Sequence, residues 1–189
     1  MIFDLLMIYS FTLSSVCIFL GVAYLLSHGF ALLQPTLCQN ILKKAPRHEV
    51  LGISLMALAT GWFCWVLLNV DLMEYTPYRR LFVFAMLIGG GLVIFYVRPL
   101  LTARALGALL LLLAYVLLDA CFMRNEPLKL IIVATAYLYI IAGMILVASP
   151  YYLRDALDWI YQTPQRAQVA AVAGCLYGVI LLVLGLVVF

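Results

Sequence analysis

Charge is what this chain has least of. Lysine and arginine together number 11 and aspartate and glutamate 8 in 189 residues, 10% of the total, where soluble domains carry about one quarter. With 68% hydrophobic residues, too few polar side chains remain to cover a water-facing surface. The net charge of +3 is scattered over short segments and forms no basic groove, so nucleic-acid binding has no support. Catalytic signatures are also missing: there is no H-E-x-x-H, no G-x-S-x-G, no paired carboxylate and no phosphate-gripping glycine loop. Cys17, Cys38, Cys64, Cys121 and Cys175 include no C-x-x-C pair and read as small apolar core residues rather than a disulfide framework. No Asn-x-Ser/Thr sequon occurs.

What is there is a series of uncharged apolar runs. A bilayer core about 30 Å thick is crossed by roughly 20 helical residues, because each adds about 1.5 Å and lipid offers backbone groups no outside partner. Spans are expected at about residues 6–33, 50–70, 81–97, 100–118, 130–148 and 167–189. The fourth reaches spanning length by carrying Arg104 in its first turns, where the guanidinium can snorkel to the headgroups. Arg98-Pro99 divides the third run from the fourth and predicts a tight hairpin there. The first run lacks a basic leading region and a cleavage region, so it is expected to be retained. The fold expected is all-α, a single polytopic transmembrane bundle of about six helices arranged as three hairpins.

The loops set the expected orientation. Lys43, Lys44, Arg47, Arg98, Arg104, Arg154 and Arg166 fall on one side, against Arg79, Arg80, Arg124 and Lys129 on the other. By the positive-inside rule the first group is cytoplasmic and both termini lie outside, with Asp4 the lone charge ahead of the first span. A prokaryotic plasma membrane is the expected location. The linkers of the first and third hairpins share a grammar of proline, amphipathic stretch, then Pro-Arg or Pro-Gln-Arg. Short interfacial helices are expected at about residues 35–45 and 150–161. In the second, Leu153, Ala156, Leu157, Ile160 and Tyr161 oppose Arg154, Asp155, Asp158 and Gln162, with Trp159 at the headgroup boundary. A threefold hairpin duplication, its first and third copies parallel, is one account of the shared grammar.

Two glycine patterns and two histidines are the candidate site residues. Ala170, Gly174 and Gly178 form a small-xxx-small stripe in the sixth span, expected to admit a neighbouring helix closely. Gly89, Gly90 and Gly91 stand in mid-span, each costing about 1 kcal/mol relative to alanine. A cavity or ligand is one explanation for them, and packing against Trp62, Phe63 and Trp65 is the other. His28 and His48 could face each other across the first hairpin as cofactor ligands, while a structural or solvated role is the ordinary reading of both rings. No metal and no cofactor is expected. Every acidic residue maps to a loop or helix end, which counts against proton coupling or voltage sensing, because charge at the bilayer centre persists mostly for function. The functional expectation is a non-catalytic integral membrane protein whose partners are the bilayer and other membrane subunits or copies of itself: a structural, accessory or assembly subunit, or a homo-oligomer. The alternative is a small transporter or channel for a neutral or lipid-like substrate.

Overall fold

The computed structural model describes residue 9 and residues 11–97 and 100–189. Asp4, and the Arg98-Pro99 turn on which the tight-hairpin expectation rests, lie outside them. Among the described residues the protein is entirely helical, with α1 Leu13–Leu33, α2 Pro35–Lys44, α3 Glu49–Asn69, α4 Arg79–Tyr96, α5 Leu101–Cys121, α6 Lys129–Ala148, α7 Tyr151–Ile160 and α8 Pro164–Val183. A π-helical turn, Leu184–Val188, follows α8. Six of these helices are long and apolar enough to cross a membrane.

Local chemistry explains where the helices start. Thr12 accepts a hydrogen bond from the Ser15 backbone N–H and so caps α1, which puts the helix start at Leu13 rather than near Leu6. His48 caps α3 in the same way, its Nδ1 accepting from Leu51 N at 3.3 Å. Pro35 and Pro164 open α2 and α8 at the first turn, where a missing N–H costs nothing. On the opposite side of the bundle the Arg79 guanidinium closes the end of α3 by donating to the carbonyls of Leu68 and Val70.

The packing differs from the expected three hairpins. None of the predicted pairs, α1 with α3, α4 with α5 or α6 with α8, is a principal contact; the helices that lie together are α5 with α6, α1 with α8, and α3 with both α5 and α4. Small residues decide the pairing. A Cβ added at Gly107 would stand 2.8 Å from Gly143 O, and one at Gly143 would stand 2.8 Å from Gly107 O, so α5 and α6 touch backbone to backbone. Gly21 and Gly178 do the same for α1 and α8, at 2.9 and 3.0 Å. Gly52 meets Thr102 between α3 and α5. In lipid such close approach is what holds helices together, since leaving lipid for another apolar surface releases no water.

α5 is the central helix, with 44% of its apolar stretch buried inside the protein, whereas the Met73–Tyr96 segment containing α4 has 6% buried. The main core joins α1, α5, α6 and α8 through Leu13, Cys17, Leu117, Ile132, Ala136 and Leu181. These positions lie toward the bundle end away from α2 and α7. At the α2/α7 end the two short helices pack on each other, with Lys43 Nζ 3.7 Å from Asp158 Oδ1 and Cys38 Sγ 3.4 Å from Tyr161 OH. Leu153, Leu157 and Ile160 are half-buried on α7, while Arg154, Asp155 and Asp158 are exposed.

Candidate functional site

The glycine triplet does not break its helix. α4 runs without interruption through Gly89, Gly90 and Gly91. Gly90 alone serves the protein's own packing: it is buried, and a Cβ there would stand 2.5 Å from Thr60 Oγ1 on α3. The three atoms nearest that position all belong to Thr60. Nothing lies within 4 Å of a Cβ placed at Gly89 or Gly91. Beside the Thr60 contact, an apolar cavity of about 410 Å³ opens between α3, α4 and α5, with Met56, Phe63, Met86 and Tyr115 in its wall.

On α8 two residues of the expected stripe, Gly174 and Gly178, face α1, while the third does not. Ala170 is exposed, and the face toward α1 runs through Ala171, Gly174, Gly178, Leu181 and Gly185. Gly185 continues it into the π turn, where Ser14 Oγ donates to Gly185 O at 2.6 Å. Gly174 has a specific task, because any Cβ there would overlap the His28 ring. That ring lies parallel to Tyr24, with centroids 5.3 Å apart, and its Nδ1 sits 3.1 Å from both Tyr24 O and Ser27 Oγ.

Tyr24 leads into a polar cluster that no sequence motif announces. Tyr139 on α6 donates to the Tyr24 hydroxyl at 3.0 Å. Tyr177 on α8 meets Tyr24 edge to face, centroids 5.2 Å apart, and shares a hydrogen bond with Thr135 Oγ1, whose hydroxyl also reaches Ile131 O at 2.8 Å. Three tyrosines from three helices thus converge near mid-helix, each hydroxyl paired where lipid offers no alternative. The cluster supplies neutral donors and acceptors and contains no carboxylate, so as it stands it ties α1, α6 and α8 together. One sequence signal was available: tyrosine favours the membrane interface, and Tyr24, Tyr139 and Tyr177 stand far from the ends of their helices.

The two histidines have separate tasks. His28 fills the notch in α8, while His48 is exposed at the start of α3, where its carbonyl accepts from Thr102 Oγ1 at 3.3 Å. No hydrogen bond or ring stacking joins them among the described residues. Nor, among those residues, do three or more His, Cys, Asp or Glu side chains gather as metal ligands would. A second aromatic group closes the other end of the bundle. Asp119 Oδ2 accepts from Tyr9 N at 3.2 Å, Trp62 Nε1 donates to the Tyr9 hydroxyl, and Trp65 and Tyr115 pack on the Tyr9 ring. Next to it an apolar cavity of about 580 Å³ lies between α1, α3 and α5, walled by Phe19, Leu20, Trp62 and Leu117 among others. Compared with known proteins, the chain matches no family model, no curated protein and no solved structure.

Proposed function

We propose that this chain is a non-catalytic integral membrane protein that works through helix-to-helix association, as a structural, accessory or assembly subunit of a membrane complex or as a homo-oligomer. The outer face of α4 carries the reading. Each glycine in a helix costs about 1 kcal/mol relative to alanine, and within this chain only Gly90 of the three returns anything for that cost. Gly89 and Gly91, about 200° apart round the helix, each leave a gap on one flank of the least buried long helix, whose lipid-side surface carries exposed Phe84, Ile88 and Leu92. A second helix packing over either gap would gain the dispersion contacts that glycine makes possible. Gly29 and Gly61 are open as well, but each stands alone on a helix that already packs through another face. In this reading the protein lies in a prokaryotic plasma membrane with both termini outside and α2 and α7 along the cytoplasmic headgroups. A cysteine placed at Lys44 then reacts with membrane-impermeant thiol reagents only after the cells are opened, and efficient labelling of intact cells contradicts that orientation.

The apolar cavities of about 580 and 410 Å³ favour a second reading, a small transporter or channel for a neutral or lipid-like substrate. Gly89→Leu and Gly91→Leu separate the two, because a Cβ at either position meets nothing within 4 Å. On the subunit reading, protein gently extracted from native membranes is part of a stoichiometric assembly, and both variants leave it while keeping the wild-type Tm. Wild-type protein that extracts as a lone monomer, or variants that assemble normally, would reject the association reading.

A further inference from the structure

The cavity of about 410 Å³ between α3, α4 and α5 falls within the size range of small-molecule sites, and two residues in its wall carry hydroxyls that the protein leaves unused. A serine or threonine inside a helix can turn its hydroxyl back on the carbonyl four residues earlier, as Ser27 does to Ala23, Ser54 to Val50 and Thr135 to Ile131. Thr60 on α3 does not. Thr60 and Tyr115 both line the cavity, and among the described residues neither hydroxyl has a hydrogen-bond partner. Gly90 is what leaves room for Thr60 beside α4, since a Cβ there would overlap its side chain.

The rest of the lining says what would use those hydroxyls. No charged residue lines the cavity, and apart from Thr60 and Tyr115 its wall is apolar. A hydroxyl without a partner in hydrocarbon is costly, so the fitting occupant is a neutral, apolar molecule that accepts hydrogen bonds. Its shape follows from the thioethers of Met56 and Met86 and the rings of Phe63 and Tyr115, which favour a flat π-ring over a flexible chain. α3 and α5 both run away from the Gly52–Thr102 contact near their starts, which puts the backbones of Thr60 and Tyr115 at levels about 7.5 Å apart. The two donors therefore address opposite edges of one occupant rather than a single atom.

We infer that this cavity binds the head of an isoprenoid quinone, its ring among Met56, Phe63 and Met86, with one carbonyl accepting from Thr60 Oγ1 and the other from the Tyr115 hydroxyl. Such a molecule is neutral, dissolves in the bilayer and carries two acceptors on opposite edges of a flat ring. The inference is one of binding, in which no covalent bond is made or broken. It requires the six apolar helices to lie in a bilayer and is independent of what packs on the outer face of α4, because a site that holds its ligand in place serves a subunit as well as a carrier.

Purified full-length protein in detergent is titrated with decylubiquinone, reading the quenching of tryptophan fluorescence and Tm; Trp62 and Trp65 lie on α3 next to Phe63 and Val66 of the cavity wall. Saturable quenching and a Tm raised by several degrees are expected. Undecylbenzene, a ring without carbonyls, and methyl decanoate, a carbonyl without a ring, are expected neither to displace the quinone nor to raise Tm. Thr60→Val and Tyr115→Phe keep the shape of each side chain and remove its donor. Both should match or exceed the wild-type Tm without ligand, since no internal hydrogen bond is lost, while each weakens quinone binding about threefold to tenfold and the double variant at least tenfold. Phe19→Ala, an exposed position in the wall of the 580 Å³ cavity, should bind as wild type does. Absence of saturable quinone binding, or equal competition by undecylbenzene, overturns the inference because the carbonyls are not read. Equal competition by methyl decanoate overturns the quinone as the occupant. Hydroxyl variants that bind like wild type, or loss of binding in Phe19→Ala, overturn the location.

Discussion

Replacing Gly107 by alanine tests whether backbone contact between α5 and α6 holds the bundle. The new Cβ would stand 2.8 Å from Gly143 O and 2.9 Å from Val147 Cγ2. The carbonyl belongs to a rigid helix and cannot turn aside, so reaching ordinary contact at 3.4 Å requires the helices to separate by about 0.6 Å. A gap of that size forfeits roughly a quarter to a half of each dispersion contact, and each contact is worth about 0.1–0.2 kcal/mol. If the crossing holds on the order of 40 atom pairs, the loss is about 2 kcal/mol. Alanine returns up to about 1 kcal/mol of helix propensity, which leaves Gly107→Ala about 1 kcal/mol less stable. Gly61→Ala is the control: its Cβ meets nothing within 4 Å, so it collects the propensity gain without the separation. The two variants should therefore differ by about 2 kcal/mol in opposite directions from wild type. Reversible unfolding in mixed micelles by increasing denaturing detergent measures this. Finding Gly107→Ala as stable as Gly61→Ala refutes the claim that the Gly107–Gly143 approach organises the fold.

Gly174→Leu should lower the thermal unfolding temperature in detergent far more than Val172→Leu, since the first drives a side chain into the His28 ring while Val172 is exposed; equal stability of the two removes the α1–α8 notch from the argument. The Tyr161 hydroxyl is pushed up to about 12 by burial, with a further rise from its Cys38 partner. A folded-state value above the ordinary 10 means that the stability it lends is complete below pH 10 and is lost as pH climbs toward 12. Cross-linking of cysteines at Lys43 and Asp158 should fall through that window in wild type and should lose that dependence in Tyr161→Phe; a pH profile identical in the two proteins contradicts the assignment.

Six helices long and apolar enough to span a membrane were legible because lipid allows a 20-residue apolar run almost one conformation. The start of α2 was legible for a similar reason, a proline that fixes the first turn, whereas α8 begins at Pro164, ahead of the expected residue 167. Helix faces were harder to read. The α8 stripe was placed through Ala170, Gly174 and Gly178; the two glycines do face α1, but Ala170 is exposed and Ala171, about 100° further round the helix, is buried instead. In water such an error is prevented by polar residues marking the outer face, but here lipid is as apolar as the protein interior and the outer face of α8 carries Val169, Val172, Leu176 and Val179. Pairing was hidden by the same equivalence. Loops report which helices follow one another, yet α1 packs with α8 and not with α3, since the glycine notch that fits Gly21 lies at Gly178.

The same reasoning explains why the histidines stood out and the tyrosines were missed. His28 and His48 drew attention because they are rare, and each is accounted for by one local contact, a ring seated over Gly174 and a cap on α3. Tyrosine is common here, with 12 in the chain, so none stood out. Yet a hydroxyl at mid-helix in lipid must find a partner or carry a desolvation cost of several kcal/mol, and residues remote in sequence can supply that partner only once the helices are assembled. Tyr24 and Tyr139 satisfy each other, and Tyr177, edge-on to Tyr24, is satisfied by Thr135, across three helices whose pairing is set by glycine. The polar cluster is therefore a consequence of the close packing and a constraint on it: a glycine substitution that moves α8 away from α1 also opens the Tyr24–Tyr177 edge contact and pulls on the Tyr177–Thr135 hydrogen bond, so the two kinds of contact should lose stability together.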